Sequence, residues 1–157
     1  MEGFKIVTDK DKIDVDLLLT ADPSLPQVMR NLNQSYSFAG LLGDRTVAVC
    51  LLDKKDDVYD IVNLAIKQDF QNKGLAKEMV RFALDYVRAH GGRYVEAGAG
   101  NSNIPMYVLL QKLGFRVVGV WKNHFISDTP QPHTANFIVD RDMIRFQLDL
   151  RTDAVPR

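Results

Sequence analysis

Gln71-Asn-Lys-Gly-Leu-Ala76 is the stretch whose residue types and spacing suit the chemistry of anions. It follows the apolar run Val58-Tyr-Asp-Ile-Val-Asn-Leu-Ala-Ile66 and the link Lys67-Gln-Asp-Phe70, and it opens a helical pattern that runs to about His90. The first N–H groups of a helix have no partner within it, and the aligned peptide dipoles place about half a positive charge at that end. A phosphate docks there readily. Gly74 removes the side chain where a diphosphate approaches the backbone, and Ala76 keeps the next position but one small. The same residues also serve a plain turn from loop to helix.

Several elements must position this turn. Residues 58–66 form a strand, and the helix after Gly74 buries Leu75, Met79, Val80, Phe82, Ala83, Tyr86 and Val87 on one broad face. Lys73 and Lys77 lie near its start, where cations oppose the dipole, and phosphates nearby would account for them. His90-Gly91-Gly92 ends the helix, and Arg93 to Ala99 reads as another strand, so strand, helix and strand predict a right-handed parallel crossover. Upstream, residues 3–8, 36–42 and 46–52 read as strands, with turns at Gly43-Asp44-Arg45 and Asp53 to Asp57, and the last two of them continue into 58–66 as an antiparallel meander. Between the first two strands lie a short helix over 13–20 and a second capped by Ser24, with Leu25, Val28, Met29 and Leu32 at helical spacing. Phe115 to Trp121 and Asp142 to Leu150 complete the strands.

Two other phosphate-binding patterns are absent. A Walker loop needs Gly-x-x-x-x-Gly-Lys-Ser/Thr, and no such run occurs; a dinucleotide fingerprint needs Gly-x-Gly-x-x-Gly, and Gly74 has neither companion. What remains, Gln-x-x-Gly-x-Ala after an apolar strand, resembles the acyl-CoA loop of the GNAT family of N-acetyltransferases. A second stretch, Asn101-Ser-Asn-Ile-Pro-Met-Tyr-Val-Leu-Leu-Gln-Lys-Leu-Gly-Phe115, is similar to that family's next block, an asparagine followed by a helix ending in Lys-x-Gly-Phe. The resemblance covers residues 58–118, about two fifths of the chain, with both blocks in the family's order. It implies an α/β fold with a mixed, mostly antiparallel central sheet, a splayed parallel strand pair and helices on both faces. Acetyl-CoA is the implied cosubstrate, its pantetheine arm lying in the gap between the splayed strands. Asn-Ser-x-Ile, Gln-Lys-x-Gly-Phe-Arg and a late Arg-Asp-Met-Ile-Arg also look like a bacterial subgroup often labelled small-amine or aminoglycoside acetyltransferases.

Carried over residue by residue, the resemblance implies that the backbone of Leu64, Ala65 and Ile66 pairs with pantetheine. Amides of Gln71, Asn72, Lys73, Gly74, Leu75 and Ala76 would hold the diphosphate. Asn103 stands at the head of the next helix, where the family's asparagine contacts the cofactor arm; Asn101 takes that place if the helix starts earlier, and either also serves as an N-cap. Asp60 falls where lysine-acetylating branches place a glutamate base. Being one carbon shorter, it would act through a water; it also simply continues the acidic hairpin of Asp53, Asp56 and Asp57. Strict alternation puts Asp60 on a face with Val62 and Leu64, and Asn63 opposite, where it orients substrate or a water.

Many family members carry a tyrosine four residues before the Gly of Gly-Phe as the acid for the leaving thiolate. Leu110 stands there in this chain, which leaves Tyr107, one helical turn earlier, as the candidate acid. Leu110 also favours the alternative of a catalytically weak acyl-CoA-binding sensor or partner-recruiting module. The polar, proline-marked segment 122–136 matches the acceptor-side loop of the family, and His124, Phe125, Asp128 and His133 are its candidates for substrate contacts.

Bulk properties bound the rest. At 157 residues and 46% apolar composition, one acetyltransferase domain over 1–157 is expected. Twenty basic and twenty acidic residues cancel, so nothing calls for nucleic acid or a membrane surface. Cys50, the sole cysteine, sits in an apolar strand and forms no disulfide within the chain. With no signal-peptide core at the start and no run near the ~18 apolar residues of a membrane span, a cytoplasmic protein is expected. Three scattered histidines and one cysteine make no metal site. The expected partner is a small-molecule or peptide amine, and the oligomeric state is open between monomer and homodimer.

Overall fold

A computed structural model describes residues 1–125, 134–135 and 138–153 of the chain. These fall into two compact units, Met1–Gly92 and Arg93–Arg157.

In the first unit, β1 (Phe4–Val7), β2 (Tyr36–Leu42), β3 (Arg45–Lys55) and β4 (Val58–Ile66) pair in sequence order as an antiparallel sheet. Three helices accompany it: α1 (Val15–Ala21), α2 (Leu25–Gln34) and α3 (Leu75–Ala89). Asp14 starts α1 by accepting from Leu17 N, and Ser24 starts α2 by accepting from Gln27 N. Helix α3 ends in a Schellman arrangement, with Gly91 at φ +75 and Gly92 N donating to Val87 O at 2.9 Å.

β3 is covered on both faces, as its unbroken run of buried residues from Val47 to Asp53 requires. On one side Val49 and Leu51, with Ala65 of β4, pack against Leu17, Leu18 and Val28 of α1 and α2. Full burial of each of these leucines stabilises the fold by about 2–3 kcal/mol. The other side carries Phe38, whose ring lies 5.1 Å from Phe82 and 5.3 Å from Tyr86 of α3. Leu84 joins the buried face of α3 beyond the residues expected from periodicity. On α2 only Val28 is fully buried; Leu25 and Met29, expected in its apolar stripe, are exposed.

Two sequence expectations fail here, with one consequence. The turn expected at Asp53 to Asp57 is shorter, because β3 runs on to Lys55 and the chain reverses at Asp56, which has φ +55. Strict alternation along β4 also fails. Leu52 faces Ile61 but Leu51 faces Asn63, so Val62 is the extra residue of a β-bulge. The bulge shifts the phase by one residue. Asp60 therefore shares the α1/α2 face with Asn63 and Ala65, while Leu64, opposite Cys50, points to the α3 face.

In the second unit, β5 (Tyr94–Gly100) and β6 (Arg116–Trp121) flank β9 (Met143–Asp149), which is antiparallel to both. The last strand is thus central. Leu110 of α4 (Ile104–Lys112) is fully buried, as are Val95 and Ala97 of β5 and Phe146 and Leu148 of β9. The helix closes as α3 does, with Gly114 at φ +96 and Phe115 N donating to Leu110 O at 2.9 Å. Residues 122–136, expected as a loop, include β7 (Thr134–Ala135), which pairs with β8 (Ile138–Val139) in a short ladder. After β9, Thr152 N and Asp153 N both donate to Asp149 O.

Candidate functional site

The expected anion turn has the geometry its residues imply. Asn72 and Gly74 both adopt left-handed backbone, at φ +62 and +81. Alternation of this kind turns successive N–H groups toward one side, as in the concave nests that hold anions. Asp14, Ser24 and Asn103 cap α1, α2 and α4 with side-chain oxygens, whereas Gly74 begins α3 with none. A side chain built on Gly74 would meet nothing within 4 Å. The first donors of the longest helix are therefore presented on an open face. Gln71, Asn72, Lys73 and Gly74 are exposed, Ala76 and Lys77 half-buried, and Leu75 anchors the turn in the core.

The turn is tied to the strand before it. Gln71 Nε2 donates to Ile66 O at 3.0 Å, and Lys67 N donates to Val47 O at 2.8 Å. Leu64, Ala65 and Ile66 use one backbone edge of β4 on Cys50, Val49 and Ala48 of β3.

On the α1/α2 face of β4, Asp60 is half-buried and stands directly opposite Asp53. Asn63 is buried; its Nδ2 donates to Leu18 O at 3.1 Å, and its Oδ1 accepts no hydrogen bond among the described residues. Asp53 was legible only as part of an acidic turn, and its pairing with Asp60 depends on the true length of β3.

In the second unit Asn103 is the N-cap of α4, its Oδ1 accepting from Met106 N at 3.3 Å. Since α4 starts at Ile104, Asn101 does not replace it: its Nδ2 donates to Val139 O, and its Oδ1 accepts from Arg141 N and Asp142 N. Leu110 is fully buried. Tyr107 is half-buried with its ring 5.8 Å from Phe146, and burial, then the nearby Asp140 carboxylate, pushes its hydroxyl above the usual tyrosine range. His124 is exposed, edge-on to Phe125 at 4.8 Å and 5.6 Å from Trp121. Asp128 and His133 lie outside the described residues. Arg145, the last residue of the Arg-Asp-Met-Ile-Arg run, stacks its guanidinium 4.2 Å from the Trp121 ring centroid and lies 3.5 Å from Glu96.

Cys50 is excluded as a nucleophile: it is fully buried, and desolvation pushes its thiol up to about 12. Among the described residues no three His, Cys, Asp or Glu side chains gather as a metal site, and no helix is long and apolar enough to cross a membrane.

Comparison with known proteins bears on these features. Residues 12–115 match the Acetyltransferase (GNAT) family. An uncharacterized N-acetyltransferase of Bacillus subtilis (strain 168), YvbK, is 36% identical over 136 residues, spanning 86% of this chain and 88% of that protein. An IAA acetyltransferase from Bacillus cereus superposes with a TM-score of 0.90 at 30% identity, over 94% of this chain and 99% of that one. A GNAT family acetyltransferase from Elizabethkingia anophelis, solved with acetyl-CoA bound, also gives 0.90 at 27% identity, over 96% and 100%.

Proposed function

Since the chain belongs to the GNAT family of acetyltransferases and has its α/β fold, we propose that it moves an acetyl group from acetyl-CoA directly to a primary amine of a small molecule or peptide. The observation that carries this is the uncapped start of α3, where left-handed Asn72 and Gly74 precede a row of N–H donors. Amides from Gln71 to Ala76 hold the diphosphate, Lys73 and Lys77 add positive charge, and the backbone of Leu64 to Ile66 receives the pantetheine arm. With the Asn103 oxygen engaged on the α4 cap, its amide N–H groups are the donors left for the cofactor arm. The cosubstrate supplies an acetyl group already activated as a thioester.

An alkyl ammonium with a pKa of about 10.4 is less than about one part in a thousand free amine at pH 7, a deficit of roughly 4–5 kcal/mol. Asp60 removes that proton through a water, which its short side chain requires. The carbon–nitrogen bond then forms, the carbon–sulfur bond breaks, the leaving thiolate takes a proton from the Tyr107 phenol, and the second proton of the nitrogen, released as the neutral amide forms, restores that phenol through solvent. Asn63 orients the acceptor from the same face as Asp60. Substrate contacts also come from His124 and Phe125. The buried Cys50 suits a reducing compartment such as the cytoplasm. The sequence traits shared with small-amine and aminoglycoside acetyltransferases favour a small acceptor.

Release of free thiol from acetyl-CoA with a panel of amines tests this. Amine-dependent thiol release is expected, with acetylated amine as product. Leu110, buried where many relatives carry a tyrosine, supports a second reading as an acyl-CoA-binding module. CoA that raises the melting temperature while no amine releases thiol would select the module.

A further inference from the structure

β6 is an edge: it pairs with β9 on one side and with no other strand among the described residues. Val117, Val118, Val120 and Trp121 are 55%, 55%, 48% and 48% exposed, so large apolar side chains meet solvent along nearly its whole length. Edge strands are usually kept short or given an internal lysine or proline. β1, an edge of the first unit, has two such defences, being four residues long with an exposed Lys5 among them. After Arg116, β6 contains neither lysine nor proline, and the bulge where its register slips at Val118 presents one more valine. Gly119 adds an independent sign. Its backbone is outside the left-handed region and an added Cβ would meet nothing within 4 Å, so neither conformation nor packing within the chain calls for glycine. A glycine inside a strand also marks the close approach of another backbone.

The two faces of the strand fit a second β6. Val117 and Val120, opposite Phe146 and Ile144, point to the side covered by α4, where the Tyr107 ring meets Phe146. Arg116, Gly119 and Trp121, opposite Gln147, Arg145 and Met143, point to the other. Directly opposed residues of an antiparallel pair share a face, so a partner strand must match this pattern. The antiparallel register that overlaps all six residues of two copies does so: Arg116 of one meets Trp121 of the other, Val117 meets Val120, and Val118 falls beside the room at Gly119. A slip by one residue would oppose Val117 to Trp121, or Arg116 to Val120, and neither pair shares a face. In the matching register the Arg116 guanidinium reaches the exposed side of a ring that already carries Arg145 at 4.2 Å, a favourable contact for a cation. We propose that β6 joins two copies of this chain about a two-fold axis between Val118 and Gly119, making their β5, β9 and β6 strands one continuous sheet. An unrelated strand would not need a sequence that complements itself when reversed. The paired strip is only about 20 Å long. It falls short of the about 800 Å² per copy of a standard interface, although Ile104 and Val108, one turn apart on α4 and 45% and 46% exposed, offer further apolar surface on the side of Val117 and Val120. A dimer in the micromolar range is therefore expected.

Sedimentation velocity of the full-length chain between about 1 and 100 µM should show monomer passing into dimer. Val118→Lys sets two ammonium groups beside the axis and should raise the dissociation constant about tenfold or more. The register has its own test in Val117→Cys combined with Val120→Cys. Within one copy these positions are about 10 Å apart, too far for a disulfide, whereas across the axis each lies opposite the other. Mild oxidation should therefore link the double variant into a covalent dimer and leave either single variant monomeric on a non-reducing gel; the native Cys50 is buried and takes no part. A chain that stays monomeric throughout the concentration range overturns the proposal, and so does a dimer that survives V118K. Single variants that cross-link as readily as the double one overturn it too. If V118K does not fold, the cysteine pair decides.

Discussion

The side-chain amide of Asn63 donates to the main-chain carbonyl of Leu18 at 3.1 Å and so fastens β4 to α1. The bond is buried, with Asp22 N sharing the same carbonyl at 3.2 Å. Asn63→Ala should lower the unfolding free energy by about 1–2 kcal/mol, read from denaturant titration. Asn63→Asp should cost more, because a buried carboxylate would confront the Leu18 oxygen with no proton between them.

Gly74→Ala separates backbone strain from steric block. The new methyl group has room, but at φ +81 an L-residue is strained by about 1 kcal/mol, a loss of roughly 2–4 °C in melting temperature for a chain of this size. Gly74→Val should also place bulk over the α3 donors. Added CoA is expected to raise the melting temperature of the alanine variant and to have little effect on the valine one.

Loss of the proposed base should appear in turnover. Asp60→Asn is expected to reduce kcat by about 10²- to 10⁴-fold while calorimetry shows CoA binding at wild-type affinity. Asp60→Glu, which restores the longer acid of related enzymes, should keep most of the rate. A kcat unchanged in D60N would remove Asp60 from the chemistry.

Acid should loosen the second unit through one ion pair. Arg93 donates Nε and Nη2 to the two carboxylate oxygens of Asp149, at 3.1 and 2.9 Å, and holds that carboxyl well below its usual range. A depressed carboxylate stabilises the fold above its unfolded pKa of about 3.9, and the contribution fades as pH falls below that value. Arg93→Ala should therefore lose stability at neutral pH and show a shallower decline than wild type between about pH 4 and 2. Melting temperatures across that interval measure the difference.

Cys50 gives the opposite sign. Its thiol is raised, so burial of the neutral form contributes below an unfolded pKa of about 8.5 and is lost as pH rises beyond it. A thiol reagent at pH 8 should leave the folded protein unmodified and label one equivalent after denaturation.

The anion turn was legible because every feature it needs is local: a strand, a glycine with positive φ, and a helix start without a capping side chain. Leu110 was likewise readable by its spacing from Gly114. Asp53 was not, since an aspartate before Lys-Lys-Asp-Asp has turn composition, and only the distant pairing of β3 with β4 makes it a buried strand residue. One inserted residue at Val62 defeated the alternation rule and put Asn63 on the side of Asp60. Asn101 and Asn103 look alike in sequence. Contacts of Asn101 with residues nearly forty positions away commit it to the loop, while Asn103 closes a helix three residues on.

Trp121 is the chain's single tryptophan, 48% exposed and overlaid by the Arg145 guanidinium. Its emission is consequently an optical label built into the second unit. Circular dichroism takes most of its helical signal from α1, α2 and α3 and so weighs toward the other unit, and the two signals recorded on one melting sample reveal whether both units let go at a single temperature.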